Sequence, residues 1–176
     1  MSDAVSDETP HDFAERRTLD GRLIERLRRP PLAVALGLQP HPEGGWYRRT
    51  WASPQTVPFD GDRSTRPAAT LILFLLPAGE ASGWHRVASS EIWIWNGLGS
   101  VALQYGGDGE SPEDTEVLTL GDPREGMTVQ AVVPPNVWQR TLPAGHDGLV
   151  SCLVSPGFDF ADFTMPDVDG RSGDHR

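Results

Sequence analysis

Residues 74–95 read FLLPAGEASGWHRVASSEIWIW, and the fold turns on how they are parsed. The apolar run that leads into the segment, Leu71–Leu76, is far shorter than the ~20 residues a helix needs to cross a bilayer. It is rich in Leu, Ile and Phe and ends at Pro77, as a buried strand does. Past the glycines at 79 and 83 the pattern becomes alternating. Extended backbone over 91–96 would put Glu91, Trp93 and Trp95 on one face and Ile92 and Ile94 on the other. The segment therefore reads as strand, turn, strand, with His85 and Glu91 able to face one cavity.

The same texture runs through the chain after residue 40. Candidate strands are 46–51, 70–76, 91–96, 100–105, 116–119, 128–133, 139–142 and 149–154, separated by Gly, Pro, Asp and Asn. Short strands at this spacing, with no helical pattern between them, predict an all-β sandwich or barrel. Residues 106–114, GGDGESPED, read as a polar loop at a hairpin tip. Upstream, Leu19, Leu23, Ile24 and Leu27 follow helical spacing, and Pro30 and Pro31 stop that helix. PLAVALGL (31–38) predicts a second short turn of helix ending at Gly37. Residues 1–17 read as an acidic flexible tail, 18–166 as one domain and 167–176 as a second tail.

Composition removes several function classes. The net charge of −10 disfavours a polyphosphate partner, so nucleic acid is not expected. Nothing suggests a membrane span, and the first residues lack the basic and apolar regions of a signal peptide, so a cytoplasmic location is expected. The lone Cys152 rules out an intrachain disulfide and a thiolate cluster. All 15 basic residues are arginine, which excludes a Schiff-base lysine and the lysine of a phosphate-binding loop. Nucleophile-elbow, dinucleotide-binding, H-E-x-x-H and C-x-x-C motifs are absent.

The remaining chemistry is concentrated in two stretches, residues 79–97 and VVPPNVWQR at 132–140. His85 and Glu91 form a candidate acid–base pair, since a carboxylate beside an imidazole raises its pKa and orients one ring nitrogen. Trp84, Trp93, Trp95 and Trp138 could stack on a flat or sugar-like ligand or fill the core. Arg48 and Arg86 could hold a carboxylate or phosphate. Glu43 sits in the Gly-rich turn HPEGG. The aromatic segment SPGFDFADF (155–163) reads as packing for the end of the barrel.

The order G-x5-H-x-H-x3-E, then P-x-G-x2-H, is the two-motif signature of the cupin superfamily, and the chain resembles it. Gly79, His85 and Glu91 match the first motif, whose second histidine falls on Val87. Pro134 matches the second; Asn136 stands for its glycine and Gln139 for its histidine. The wording is similar to the DUF985, or cupin-5, family at LGLQPHPEGGWYRRTW (36–51), FLLPAGEASGWHRVASSEIWIW (74–95), VVPPNVWQ (132–139) and LVSCLVSPGFDFADFTM (149–165). Relatives usually carry an acidic residue at the position of Arg49 and often a histidine at that of Ile94, so a different ligand is expected here.

The resemblance implies a single double-stranded β-helix, or jelly-roll barrel, with one or two short N-terminal helices, and a homodimer in which an N-terminal strand joins the partner's sheet. It also implies a small-molecule ligand. The first functional expectation is a metal-independent enzyme of isomerase, epimerase or lyase type acting on a sugar-like or carboxylate metabolite. There His85 would be the base, Glu91 would orient it, and Tyr47 would be the acid, as in the metal-free sugar-nucleotide epimerases of the superfamily. The second is a metal-dependent, dioxygenase-like enzyme with His85, Glu91 and Gln139 holding Fe, Mn, Ni or Zn. The third is a non-catalytic binding module.

Overall fold

A computed structural model describes residues 12–59 and 64–166. Thirteen strands and one α-helix are found among them: β1 Phe13–Arg17, β2 Leu23–Arg28, α1 Pro31–Leu36, β3 Gln39–Pro40, β4 Trp46–Ala52, β5 Thr56–Phe59, β6 Ser64–Pro67, β7 Thr70–Leu76, β8 Ser90–Leu98, β9 Val101–Tyr105, β10 Val117–Leu120, β11 Gln130–Val133, β12 Gln139–Leu142 and β13 Gly148–Ser155. The main sheet has the order β11-β8-β13-β7-β4-β3, and a three-stranded sheet has the order β10-β9-β12. Hairpins β1-β2 and β5-β6 complete the fold, and every strand pair is antiparallel. The architecture is the double-stranded β-helix expected from the sequence.

Alternation in the main sheet separates two apolar layers. Tyr47 pairs with Phe74, and their neighbours Trp46 and Leu75 pair with each other. Phe74 faces the interior with Trp93, Val101, Leu103, Leu120, Val133, Val150 and Cys152. Trp46 and Leu75 point the other way and pack with Ala14, Ala33 and Leu38 beneath α1 and β1. Burying side chains of this size stabilises the fold by about 1.5–3 kcal/mol each. A one-residue slip of β4 would exchange the two faces, so the register is strongly specified.

All eight expected strands are present, several with ends moved by a residue or two. The N-terminal segment differs. Residues 13–17, expected to belong to a tail, are a strand, and the predicted helix over 19–27 is the turn and second strand of the β1-β2 hairpin. The missed signal is Asp20-Gly21, a hairpin-turn pair. Gly21 lies at φ +87, its N–H donating to Thr18 O, while Thr18 N–H donates to Arg22 O. Leu19, Leu23 and Ile24 are 52, 49 and 48% exposed, so the helical spacing did not mark a buried stripe. Residues 1–11 and 167–176 lie outside the described residues.

The second helix expectation stands. Pro31 opens α1 at a position where a missing N–H costs nothing, and Gly37 closes it at φ +64 with its N–H on Ala33 O and Val34 O. The chain then enters β3 and a tight turn at 41–45, where His41 N–H donates to Gly45 O. Arg16 of β1 pins this turn from outside by donating to Gly45 O at 3.2 Å and to Glu80 at 2.9 Å.

Candidate functional site

The two stretches singled out in the sequence meet backbone to backbone. His85 N–H donates to Gln139 O at 3.0 Å, and Gln139 N–H donates to His85 O at 2.9 Å. Opposed residues of such an antiparallel bridge project from the same face. A second bridge joins Arg86 and Thr164 and draws the 155–164 segment over the end of the barrel. Phe163 consequently stacks on the His85 ring, 5.5 Å between centroids and 20° between planes.

These elements enclose a cavity of about 310 Å3. Its buried end holds His41, Glu43, His85, Glu91 and Trp93, and Tyr47, Ile72, Phe74, Val87, Cys152 and Val154 form the walls. Arg49, Phe158 and Phe160 also border it. The volume falls at the small end of the range for ligand pockets.

Glu43, not Glu91, is the carboxyl group beside His85. Its Oε2 lies 3.1 Å from His85 Nδ1 and 3.6 Å from His41 Nδ1. The HPEGG turn makes this possible. Glu43 O accepts from Gly83 N–H at 2.6 Å, which locks the turn onto the segment carrying His85. Gly44, at φ +116, leaves room for the close approach, because a Cβ there would stand 2.1 Å from Ala81 O. Glu91 is occupied elsewhere. Gln139 Nε2 donates to it at 2.6 Å, Gln139 Oε1 accepts from the Trp93 indole at 2.9 Å, and the Cys152 thiol hydrogen-bonds the same carboxyl group.

The tautomers follow from the partners. His85 Nδ1 lies 2.9 Å from Gly83 O, which can only accept, so Nδ1 carries the hydrogen and Nε2 the lone pair. No described residue hydrogen-bonds that Nε2, and the ring lines the cavity. His41 is opposite. Its Nδ1 receives the Glu43 backbone N–H at 3.4 Å, which leaves the hydrogen on Nε2.

Burial disfavours the charged form of each of these groups. It pushes His41 down to about 3, helped by His85 and Arg16, and His85 down to about 4 against the opposing pull of the Gly83 carbonyl. Burial lifts Glu43 well above the ordinary carboxyl range, and the nearby Glu91 adds to the lift. Glu91 rises to about 7, again through burial, despite its bonds from Gln139 and Cys152. The 3.1 Å approach of Glu43 to His85 is therefore a contact between neutral partners near pH 7, not an ion pair.

The other sequence candidates separate into groups. Tyr47, Glu43 and Trp93 line the cavity with His85 and Glu91. Gln139 is fully buried behind it as the link between Trp93 and Glu91. Trp84, Arg86 and Trp138, expected as ligand-binding residues, do not line this cavity. Arg86 and Trp138 both donate to Gly109 O, at 3.0 and 2.9 Å, and Arg86 lies over the Trp138 ring, while Arg140 lies over Trp84. They fasten the 106–114 loop. Trp95 packs against the core and donates to Gly99 O. Arg48 lies on the outward face of β4; the arginine bordering the cavity is Arg49, one residue on.

His41 lines the cavity, and the three phenylalanines of 155–163 are cavity residues that sequence reasoning did not place there. The phenylalanines do pack the barrel's end, as expected, and in doing so they line the pocket. Arg66 holds their segment from the side through Asp159 and Asp162, at 3.4 and 3.0 Å.

The expected metal ligands do not suit a divalent ion. Gln139 turns its amide N–H toward Glu91, and its oxygen is committed to Trp93. The second-histidine position is the buried, apolar Val87. Among the described residues no group of three or more His, Cys, Asp or Glu side chains is arranged to hold a metal, whereas first-row ions usually take about four protein or water donors.

Comparison with known proteins settles the family. The family model for Cupin superfamily (DUF985) matches residues 31–166. The chain belongs to this cupin family. An uncharacterised Saccharomyces cerevisiae protein, YML079W, is 32% identical to this cupin over 142 residues, which is 71% of this chain and 68% of the yeast protein. Protein SO0799 from Shewanella oneidensis superposes with a TM-score of 0.65 at 32% identity, covering 76% of this cupin and 81% of that chain. A hypothetical protein from Leishmania major superposes with a TM-score of 0.67 at 28% identity, covering 76% and 84%. No helix among the described residues is long and apolar enough to cross a membrane.

Proposed function

We propose that this cupin binds a small metabolite in the barrel cavity and acts on it by metal-independent proton transfer, as an isomerase, epimerase or lyase does. The observation that carries the reading is the Gly83 carbonyl on His85 Nδ1, which leaves the Nε2 lone pair without a partner among the described residues, on a ring that lines the cavity. A base must present a lone pair to the proton it takes. Glu43 takes the orienting role expected of Glu91: its carboxyl group holds the same ring nitrogen as Gly83. His41, with its hydrogen on Nε2, and the Tyr47 hydroxyl are donors available to the oxygen of a carbonyl group as charge develops there. Proton abstraction next to that carbonyl by His85 Nε2 gives an enol or enolate. Delivery of a proton to the other face by Tyr47 as the acid, with His85 keeping the one it removed, completes an epimerisation, and departure of a β-substituent with its bonding electron pair completes a lyase reaction.

The test works without an identified product. Metabolites that raise the thermal midpoint are incubated with enzyme in deuterium oxide and followed by proton NMR. Loss of a carbon-bound proton signal that depends on His85 supports the base role. A confirmed ligand whose exchange or turnover is unchanged in His85→Ala removes it. Stoichiometric Fe, Mn, Ni or Zn in the purified protein would overturn the metal-free mechanism.

A further inference from the structure

Arg49 is the one arginine among the cavity-lining residues, which otherwise offer carboxyl, imidazole, phenol, amide, thiol, hydroxyl and apolar groups. It sits on the same face of β4 as Tyr47, opposite Ile72 across the strand pair, and all three border the cavity. Arg49 itself is solvent-exposed, whereas His41, Glu43, His85 and Glu91 are buried or nearly so. The cavity thus has a polar axis with a permanent cation at its open end. Among the described residues one of the guanidinium's N–H groups is used, in a 3.3 Å bond to Phe158 O. That bond fixes the side chain beside the aromatic segment and leaves the other donors for a ligand.

We infer that the ligand is a small organic acid, bound with its anionic group outward against Arg49 and its reacting carbon inward beside His85. This deepens the function proposed above and rests on the same cavity. The inner end suits an uncharged group. His85 offers a lone pair and His41 an N–H, and the carboxyl groups of Glu43 and Glu91, lifted by burial, do not oppose a neutral guest. Phe158, Phe160 and Phe163 between the two ends provide an apolar waist. A cavity of about 310 Å3 holds the volume of about ten waters, so an acid of about ten non-hydrogen atoms fills it. An acid group turned inward would lose its hydration without a cation to replace it.

The experiment compares acids with their own amides, which match in size and differ in charge. Ligand-observed NMR titrations use phenylacetate with phenylacetamide and galacturonate with galacturonamide, alongside a wider panel of such pairs. In the unaltered protein the acids are expected to bind about tenfold or more tightly than their amides, with the preference shrinking as salt screens the contact. Arg49→Gln is expected to reduce the acid-to-amide ratio about tenfold, Arg49→Lys to retain part of it and Arg49→Glu to invert it. Circular dichroism confirms that each variant is folded. Equal binding of acids and amides, or an acid preference unchanged in Arg49→Gln, overturns the role of Arg49 while leaving the cavity as the binding site. If no member of either series binds, the cavity reading fails and this inference fails with it.

Discussion

The Glu43 carboxyl group stands 3.1 Å from His85 Nδ1 and is brought there by the hydrogen bond from Gly83 N–H to Glu43 O. The two residues lie on different elements, and the contact exists only because the HPEGG turn closes over the end of the barrel. Their neutrality, imposed by burial, decides how each should respond to substitution.

Glu43→Gln keeps a neutral group of the same shape, so its cost to stability is expected to stay within about 1 kcal/mol. Glu43→Ala removes the partner and should cost about 1–3 kcal/mol. Urea unfolding near pH 7 measures both. A large loss in Glu43→Gln, comparable to that in Glu43→Ala, would show that an ionised carboxylate is needed.

Stability should depend on pH in a way that identifies the buried groups. Glu91 titrates near 7 in the folded chain against an ordinary 4.5. Between those values the folded state holds a proton that the unfolded state has lost, so stability falls as pH rises toward 7. His41 and His85 act in the opposite sense. With folded values of about 3 and 4 against an ordinary 6.5, they add stability as pH rises, and it is lost as pH falls below the ordinary value. Glu91→Gln should abolish its share of the decline and be relatively more stable above pH 7 than at pH 5. Denaturant unfolding from pH 4 to 8 reads the slopes; an unchanged slope in Glu91→Gln removes the assignment.

Gly44→Ala should be among the most damaging small substitutions. It places a side chain at φ +116 and a Cβ 2.1 Å from Ala81 O. We expect a loss of about 3 kcal/mol or more, with a fall in thermal midpoint and in ligand affinity. Gly79→Ala, also at positive φ but with open space around its Cβ position, should cost less. Equal midpoints for the two variants would refute the packing argument.

Gln139→Leu leaves the Trp93 indole and the Glu91 carboxyl group without their shared partner. A buried donor or acceptor left unmade costs about 1–3 kcal/mol, so the variant should be markedly destabilised. Chelator treatment of the unaltered protein should leave its thermal midpoint unchanged. A lowered midpoint after chelation, restored by one divalent metal, would contradict the structural role assigned to Gln139.

Alternating patterns, turn residues and the spacing from Gly79 to Glu91 were legible in the sequence because they are local. They determined the eight strands, the α1 stop at Gly37 and the presence of His85 and Glu91 on one cavity. The β1-β2 hairpin was also local, but its Asp20-Gly21 turn was masked by leucine spacing that happens to fit a helix. Arg48 and Arg49 show a finer limit: a strand pattern says that neighbours face apart, and only pairing to β7 decides which faces inward. The partners of His85 and Glu91 were decided by tertiary structure alone. Glu43 arrives through a turn tied to Gly83, Gln139 through a two-residue bridge, and the phenylalanines through the bridge from Arg86 to Thr164. Each depends on contacts between residues far apart in the chain, and spacing along a sequence carries information about reach and face, not about which distant group fills the space beside a buried ring.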